Sequence, residues 1–285
     1  MDDIIKIIIA SHSEREAITA CLIKHRLNVE LVLVSDLLNQ FEIFDCTSDK
    51  ATHIRWFRAN GDVITNKNCI LINRIMQVPS ELFLNFVEQD RFYAQREFEA
   101  YLGFSLNGFV GFSNTNPNGL CGQFLSLPQQ WELVRGIEGL VVPDYYWGLD
   151  QFNSLHGQER LIYSSIYNLF NWTIHDKPIQ GFDNKNKPVF CFVKPYGLPV
   201  FVCCIGGQIL ITHHITLSDT CLNQIQRIVH GIDERVDYFA YEILLFVQDG
   251  LVTFGCMNHE ILKSVENPLF ESFVLSSVER SVCSL

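Results

Sequence analysis

The sequence has no excess of positive charge: 21 Lys and Arg stand against 32 Asp and Glu, for a formal net charge of -11. A field of that sign repels phosphate backbones and anionic headgroups, which argues against nucleic acid or a membrane surface as partner. No apolar run reaches the roughly 18 to 20 residues that cross a bilayer, because charge or Gly interrupts every candidate. The chain opens on Asp2 and Asp3, without the basic segment and small-residue cleavage site of a secretory signal, so a cytoplasmic protein is expected. Among 10 cysteines, spread from Cys21 to Cys283, there is no CxxC pair. They read as reduced, buried thiols in a chain large enough to be stable without disulfides. No nucleophile signature surrounds any of them, and this sets aside a Cys-His hydrolase. Likewise His213, His214 and His259 have no metal-ligand spacing that distinguishes them. Internal repeats and low-complexity segments are also missing.

What is present is a large apolar fraction, 48% of the chain against 19% charged residues, enough for a real core. Residues 4–10 form a β-branched run, residues 14–24 carry apolar positions at helical spacing, and residues 28–34 return to strand character. Strand, helix, strand in that order predicts a parallel sheet with crossover helices and a crevice at its strands' carboxyl ends, near Ser11 or Ser35 and Asp36. Ser11 to Glu14 also reads as a plain helix cap.

Alternation around Trp56 and a turn at Gly61 and Asp62 predict a hairpin closed by residues 63–65. A further strand at 69–72 ends on Asn73 and Arg74, and residues 82–102 form the longest helical stretch. Strand 110–114 and a helix opening at Leu127 and Pro128 and closing at Gly139 follow. Aromatic residues then recur without a clear period over 144–171, and residues 176–187 read as a polar loop. Strands are expected at 189–194, 200–205, 208–213, 238–247 and 251–256, with helices at 222–229 and 269–282.

In order, these segments resemble the ATP-grasp superfamily. The echoes are Ile70 to Arg74, the helix carrying Tyr93 to Glu97, the strand and loop Val110 to Asn114, and Trp131 leading to Gly139-Leu140-Val141-Val142-Pro143. In the second half they are Val200 to Ile209, Tyr238 to Ile243 and Leu251 to Asn258. The resemblance implies an α/β protein: a parallel-sheet pre-ATP-grasp domain over residues 1–143, then a reduced, mainly antiparallel α+β half over 144–285.

It also implies chemistry. Ligases of this kind make an acylphosphate from a carboxylate and ATP, with magnesium bridging the phosphates. Glu242 and Asn258 would hold the metal and nucleotide, Lys194 a phosphate, and Arg74 an anionic substrate; a structural salt bridge is the alternative for Arg74, and a solvent-facing strand end for Glu242. This sequence departs from the pattern in three ways. Cys256 stands where the family has a Glu, the arginine expected near Val200 is missing, and the interval from Pro143 to Val200 shows no Gly-rich phosphate-covering loop. Lys177, Lys185 and Lys187, the other candidate phosphate ligands, read as loop surface. Two functions stay open: a degenerate protein that binds a peptide or protein partner, with no cofactor, or an active ligase using ATP and Mg on a peptide or small carboxylate. A homo-oligomer is compatible with either.

Overall fold

The computed structural model describes residues 6–25, 29–48, 51–109, 111–114, 120–121, 125–164, 188–212 and 217–285. It divides into two compact units: Met1–Gln123 with Tyr238–Ala240 and Pro268–Leu285, and Phe124–Asp237 with Tyr241–Asn267. Pro143, the boundary expected from sequence, lies inside the second unit.

The first unit opens with β1 (Lys6–Ser11), α1 (Ala17–Lys24), β2 (Val29–Leu33) and α2 (Val34–Asn39). A meander follows, β3 (Phe41–Ser48), β4 (Ala51–Arg58) and β5 (Val63–Thr65), then β6 (Cys69–Arg74), α3 (Glu88–Asn107) and β7 (Gly111–Phe112). Strands β2, β1, β6 and β7 lie in that order in one sheet, and every pairing is parallel. The apolar runs need cover on both faces, and Ile8, Ile9, Ala10 and Ile72 are fully buried. The hairpin around Trp56 forms as expected, with Arg55 opposite Thr65. Its indole donates to Ser105 Oγ of α3 at 2.9 Å.

Some local readings need correction. The residues after β2 form helix α2, where Asp36 accepts from the Leu33 amide, and β3 is an added strand of the meander. The long helix begins at Glu88, after a separate 3₁₀ turn at Ser80–Phe83. Glu16 rather than Ser11 or Ser13 caps α1, accepting from the Thr19 amide at 2.9 Å. The helix at the end of the chain, Phe270–Cys283, belongs to this unit and pairs with α1 through Glu271, which accepts from Lys24 and His25.

The second unit contains α4 (Leu127–Val134), β8 (Leu140–Val141), β9 (Tyr145–Leu149), β10 (Leu161–Tyr163), β11 (Pro188–Val193), β12 (Leu198–Ile205), β13 (Gln208–Thr212), α5 (Asp219–Asp233), β14 (Ala240–Gln248) and β15 (Leu251–Asn258). Five strands form a mixed sheet in the order β13, β12, β14, β15, β8. The β14–β15 hairpin turns at Asp249 and Gly250, both at positive φ (49° and 81°), the geometry that favours Asp-Gly. The aromatic interval, without legible period, contains β9 and β10, which pair on either side of the expected strand β11 in a second sheet, β10-β11-β9, with both pairings antiparallel. Its rings pack on one another: Trp131 lies 5.2 Å from Tyr145 and 5.9 Å from Phe190 between centroids. Among the described residues, no helix is long and apolar enough to cross a membrane.

Candidate functional site

In the first unit, the sheet changes direction of build between β1 and β6, where Ser11 stands directly opposite Arg74 at the carboxyl ends. That switch point is where an open α/β sheet offers a ligand crevice. Here it is filled by the protein's own groups. Arg74 is 0% exposed, its Nε and Nη2 donate to Glu16 Oε1 at 3.1 and 2.9 Å, and its Nη1 donates to the Ala240 carbonyl at 3.3 Å. Burial pushes the Glu16 carboxyl up, but the Arg74 charge and the hydrogen bonds from Arg74 and Thr19 outweigh it and hold the group below its ordinary range. Asn114 clasps Ala240 from the other side, its side chain donating to the carbonyl at 2.9 Å and accepting from the amide at 3.0 Å. His12 Nδ1 sits 3.1 Å from the Arg74 carbonyl oxygen. The arginine thus occupies the predicted place, and its fork is closed on an internal carboxylate.

In the second unit, β14 and β15 pair so that Glu242 stands directly opposite Asn258, and Leu244 opposite Cys256. Opposed residues share a face, so Glu242, Cys256 and Asn258 project from the same side of the sheet, as the resemblance implies. A bulge follows at Gly255, whose carbonyl accepts from the Trp131 indole at 2.8 Å. The face is not open, however, and Glu242 does not end the strand in solvent: it is 0% exposed.

Both Glu242 oxygens are taken by the chain that follows β15. Oε2 accepts from the amides of Leu262 and Lys263, each at 3.1 Å. Oε1 accepts from Lys263 at 3.1 Å and from Ser264 at 2.6 Å. A carboxylate offers about four lone-pair sites, and three amides cover them, the Lys263 N–H being shared between the two oxygens. The amides open the 3₁₀ turn Ser264–Glu266, so the carboxylate supplies the negative charge that a run of free N–H groups attracts.

Cys256 is also fully buried, and burial, reinforced by the nearby Glu242 charge, raises its thiol well above the ordinary range. A neutral, soft thiol is a poor substitute for a magnesium-binding carboxylate. Asn258 is almost buried, and its side-chain oxygen accepts from the Glu260 amide at 3.1 Å. As arranged, these residues do not fit magnesium: the one carboxylate is saturated by amides and its neighbour is a protonated sulfur. Among the described residues, no group of three His, Cys, Asp or Glu is placed to hold a metal ion.

Lys194 follows β11 directly, half-buried, with its amide donating to the Arg160 carbonyl at 3.0 Å. Lys177, Lys185 and Lys187 lie outside the described residues, as do His213 and His214; His259 is buried. Sequence reasoning missed Glu16, the partner that decides the state of Arg74. The only available signal was a Glu one turn after a strand end, which capping explains equally well.

No protein-family model matches the chain, and no curated protein matches it. Solved structures do. The macrocyclase MdnC from Microcystis aeruginosa MRC, bound with precursor peptide MdnA, superposes with a TM-score of 0.71 at 11% identity, covering 96% of this chain and 100% of that one. A RiPP-associated ATP-grasp ligase from Chryseobacterium gregarium, in complex with ADP and a leader and core peptide, gives 0.66 at 10% identity, covering 97% of each chain. The ATP-grasp ligase PsnB, complexed with a phosphomimetic variant of minimal precursor, Mg and ADP, gives 0.65 at 14% identity, again over 97% of each. At such identities the likeness is one of fold, and the fold of this chain is ATP-grasp-like.

Proposed function

We propose that this chain is a degenerate ATP-grasp-like protein, a pseudoenzyme that acts as a peptide- or protein-binding partner in peptide modification. The observation that carries the reading is the state of Glu242. Its carboxylate is buried and engaged by the amides of Leu262, Lys263 and Ser264, so recruiting a metal would require giving up three amide donors. The replacement of the second carboxylate by Cys256 supports the same reading. A peptide as partner is supported by the similar folds, which were crystallised with precursor peptides.

One observation favours the alternative, an ATP-dependent carboxylate–amine ligase: the register keeps Glu242 opposite Asn258, on one face with Cys256. In that reading Glu242 and Asn258 would hold magnesium, Lys194 a phosphate, and Arg74 would leave Glu16 for the substrate carboxylate.

Calorimetry with magnesium and ATP separates the two. The degenerate reading expects no magnesium-dependent binding, because a site short of charged ligands has too few strong contacts to offset the cost of association. Micromolar affinity that disappears with EDTA would overturn that expectation and favour the ligase reading instead. A thermal melt gives an independent check, since a ligand at about a hundred times its Kd adds roughly 2.7 kcal/mol.

A further inference from the structure

The first unit has an apolar groove of about 610 Å³ beside the stripe of α3 formed by Asp90, Tyr93, Ala94, Glu97 and Phe98. These positions fall at i, i+3, i+4, i+7 and i+8, one face of the helix. Phe83 and Phe86 form the opposite wall, and Phe83 and Phe98 tie the groove to the core, so its floor is rigid. Its rim is exposed aromatic surface: Tyr93 is 67% exposed and Phe86 47%. The volume lies within the roughly 300–1,000 Å³ typical of sites that take an organic ligand.

The charges say what would fit. Both charged groups in the lining are carboxylates, Asp90 and Glu97. Neither forms an ion pair among the described residues, although α3 also carries two arginines. Arg91 is turned onto the carbonyls of Phe86 and Leu84, and Arg96 pairs with Glu99 and lies over the Phe92 ring. Seven helical residues separate the two carboxylates, about 10 Å along the axis.

We infer that this groove docks a cationic amphipathic helix, with Lys or Arg at i and i+7 facing Glu97 and Asp90 and large apolar side chains at i+3 and i+4 seated between Phe86 and Tyr93. The partner repeats the spacing of the groove's own stripe with charge reversed, and long basic side chains span the residual mismatch. A second copy of this chain is disfavoured by its net charge of -11. The inference rests on the peptide-partner reading for the kind of ligand, and does not depend on whether nucleotide binds.

The test uses the full chain and a fluorescein-labelled, Ala-rich helical peptide with Lys at i and i+7 and Leu and Phe at i+3 and i+4. Fluorescence anisotropy should show saturable binding that weakens as salt rises, and a peptide with Glu in place of both Lys should bind at least about tenfold more weakly. The exposed pair Asp90→Asn/Glu97→Gln should weaken the Lys peptide by roughly five- to tenfold with an unchanged thermal melt. Phe86→Ser should remove binding. Equal affinity for the Lys and Glu peptides, no binding of either, or binding indifferent to the groove variants would overturn the inference. So would a dimer in sedimentation that Phe86→Ser dissolves, since a second copy would then be the occupant. Binding of the probe elsewhere would sink the groove and leave the peptide-partner reading standing, whereas tight magnesium-ATP binding would sink that reading and leave the groove.

Discussion

Glu242→Gln measures what the buried carboxylate does. The substitution keeps length and shape but retains one acceptor oxygen of two. With that oxygen in the place of Oε1, Lys263 and Ser264 keep a partner, and the new amide NH₂ faces the Leu262 amide, donor against donor. Losing a charge-assisted hydrogen bond costs about 1.5–3 kcal/mol, and a stranded buried donor costs about 1–3 kcal/mol more. Relief from keeping a charge out of water offsets part of this. The net destabilisation worked from these contacts is about 2–4 kcal/mol, which for a unit of this size lowers Tm by about 5–15 °C. Thermal and urea denaturation followed by circular dichroism would read it, with an unchanged urea m-value to show that the unfolded state is the same. Hydrogen exchange should localise the loss to residues 262–264. A melt within about 1 °C of the parent would refute the reasoning, and if the same variant abolished a magnesium-dependent nucleotide signal, Glu242 would be a metal ligand after all.

Three further outcomes are expected. Glu16→Gln or Arg74→Met alone should destabilise by about 3–5 kcal/mol, because each strands a buried partner, while the double variant should recover much of the loss in a denaturation cycle. Because the folded Glu16 carboxyl is held below its unfolded value of about 4.3, its contribution is present above that pH and disappears as pH falls through the depressed value; Glu16→Gln should flatten this acid limb of the stability profile. Timed alkylation with peptide mapping should label exposed Cys283 first; Cys69, whose thiol is pushed up to about 12, and buried Cys204 and Cys256 should label only on unfolding, and early labelling of Cys256 would mean that the β14–β15 face is open.

Much of the fold was legible because its signals are local. The β-branched runs before Ser11, Leu33 and Arg74 needed two-sided cover, and they pair in one parallel sheet. Asp249-Gly250 announced its hairpin through the backbone conformation it favours. The aromatic interval hid β9 and β10, which are too short and too ring-rich to show a period-two pattern, whereas their partner β11 was legible at 189–194. The site was legible by position and illegible by state. The family resemblance implied that Glu242 and Cys256 open towards one side with Asn258 at its rim, and the strand register agrees, but the amides that engage Glu242 come from a loop with no periodicity, and the carboxylate that claims Arg74 lies 58 residues earlier in the chain. Contacts of that kind are set by tertiary packing, which spacing does not encode.

The clasp of Asn114 and Arg74 on Ala240, with the helix Phe270–Cys283 against α1, makes the first unit discontinuous in the chain. On a ribosome this becomes a matter of timing. At about 5–20 residues per second, roughly 10–30 s pass between the appearance of residue 123 and that of the closing helix. During that wait the guanidinium of Arg74 lacks the Ala240 carbonyl, and the face of α1 that the closing helix covers stays open to solvent. The unit that begins synthesis first is therefore the one that completes last, and a fragment cut near residue 123 should behave as a client of chaperones rather than as a domain.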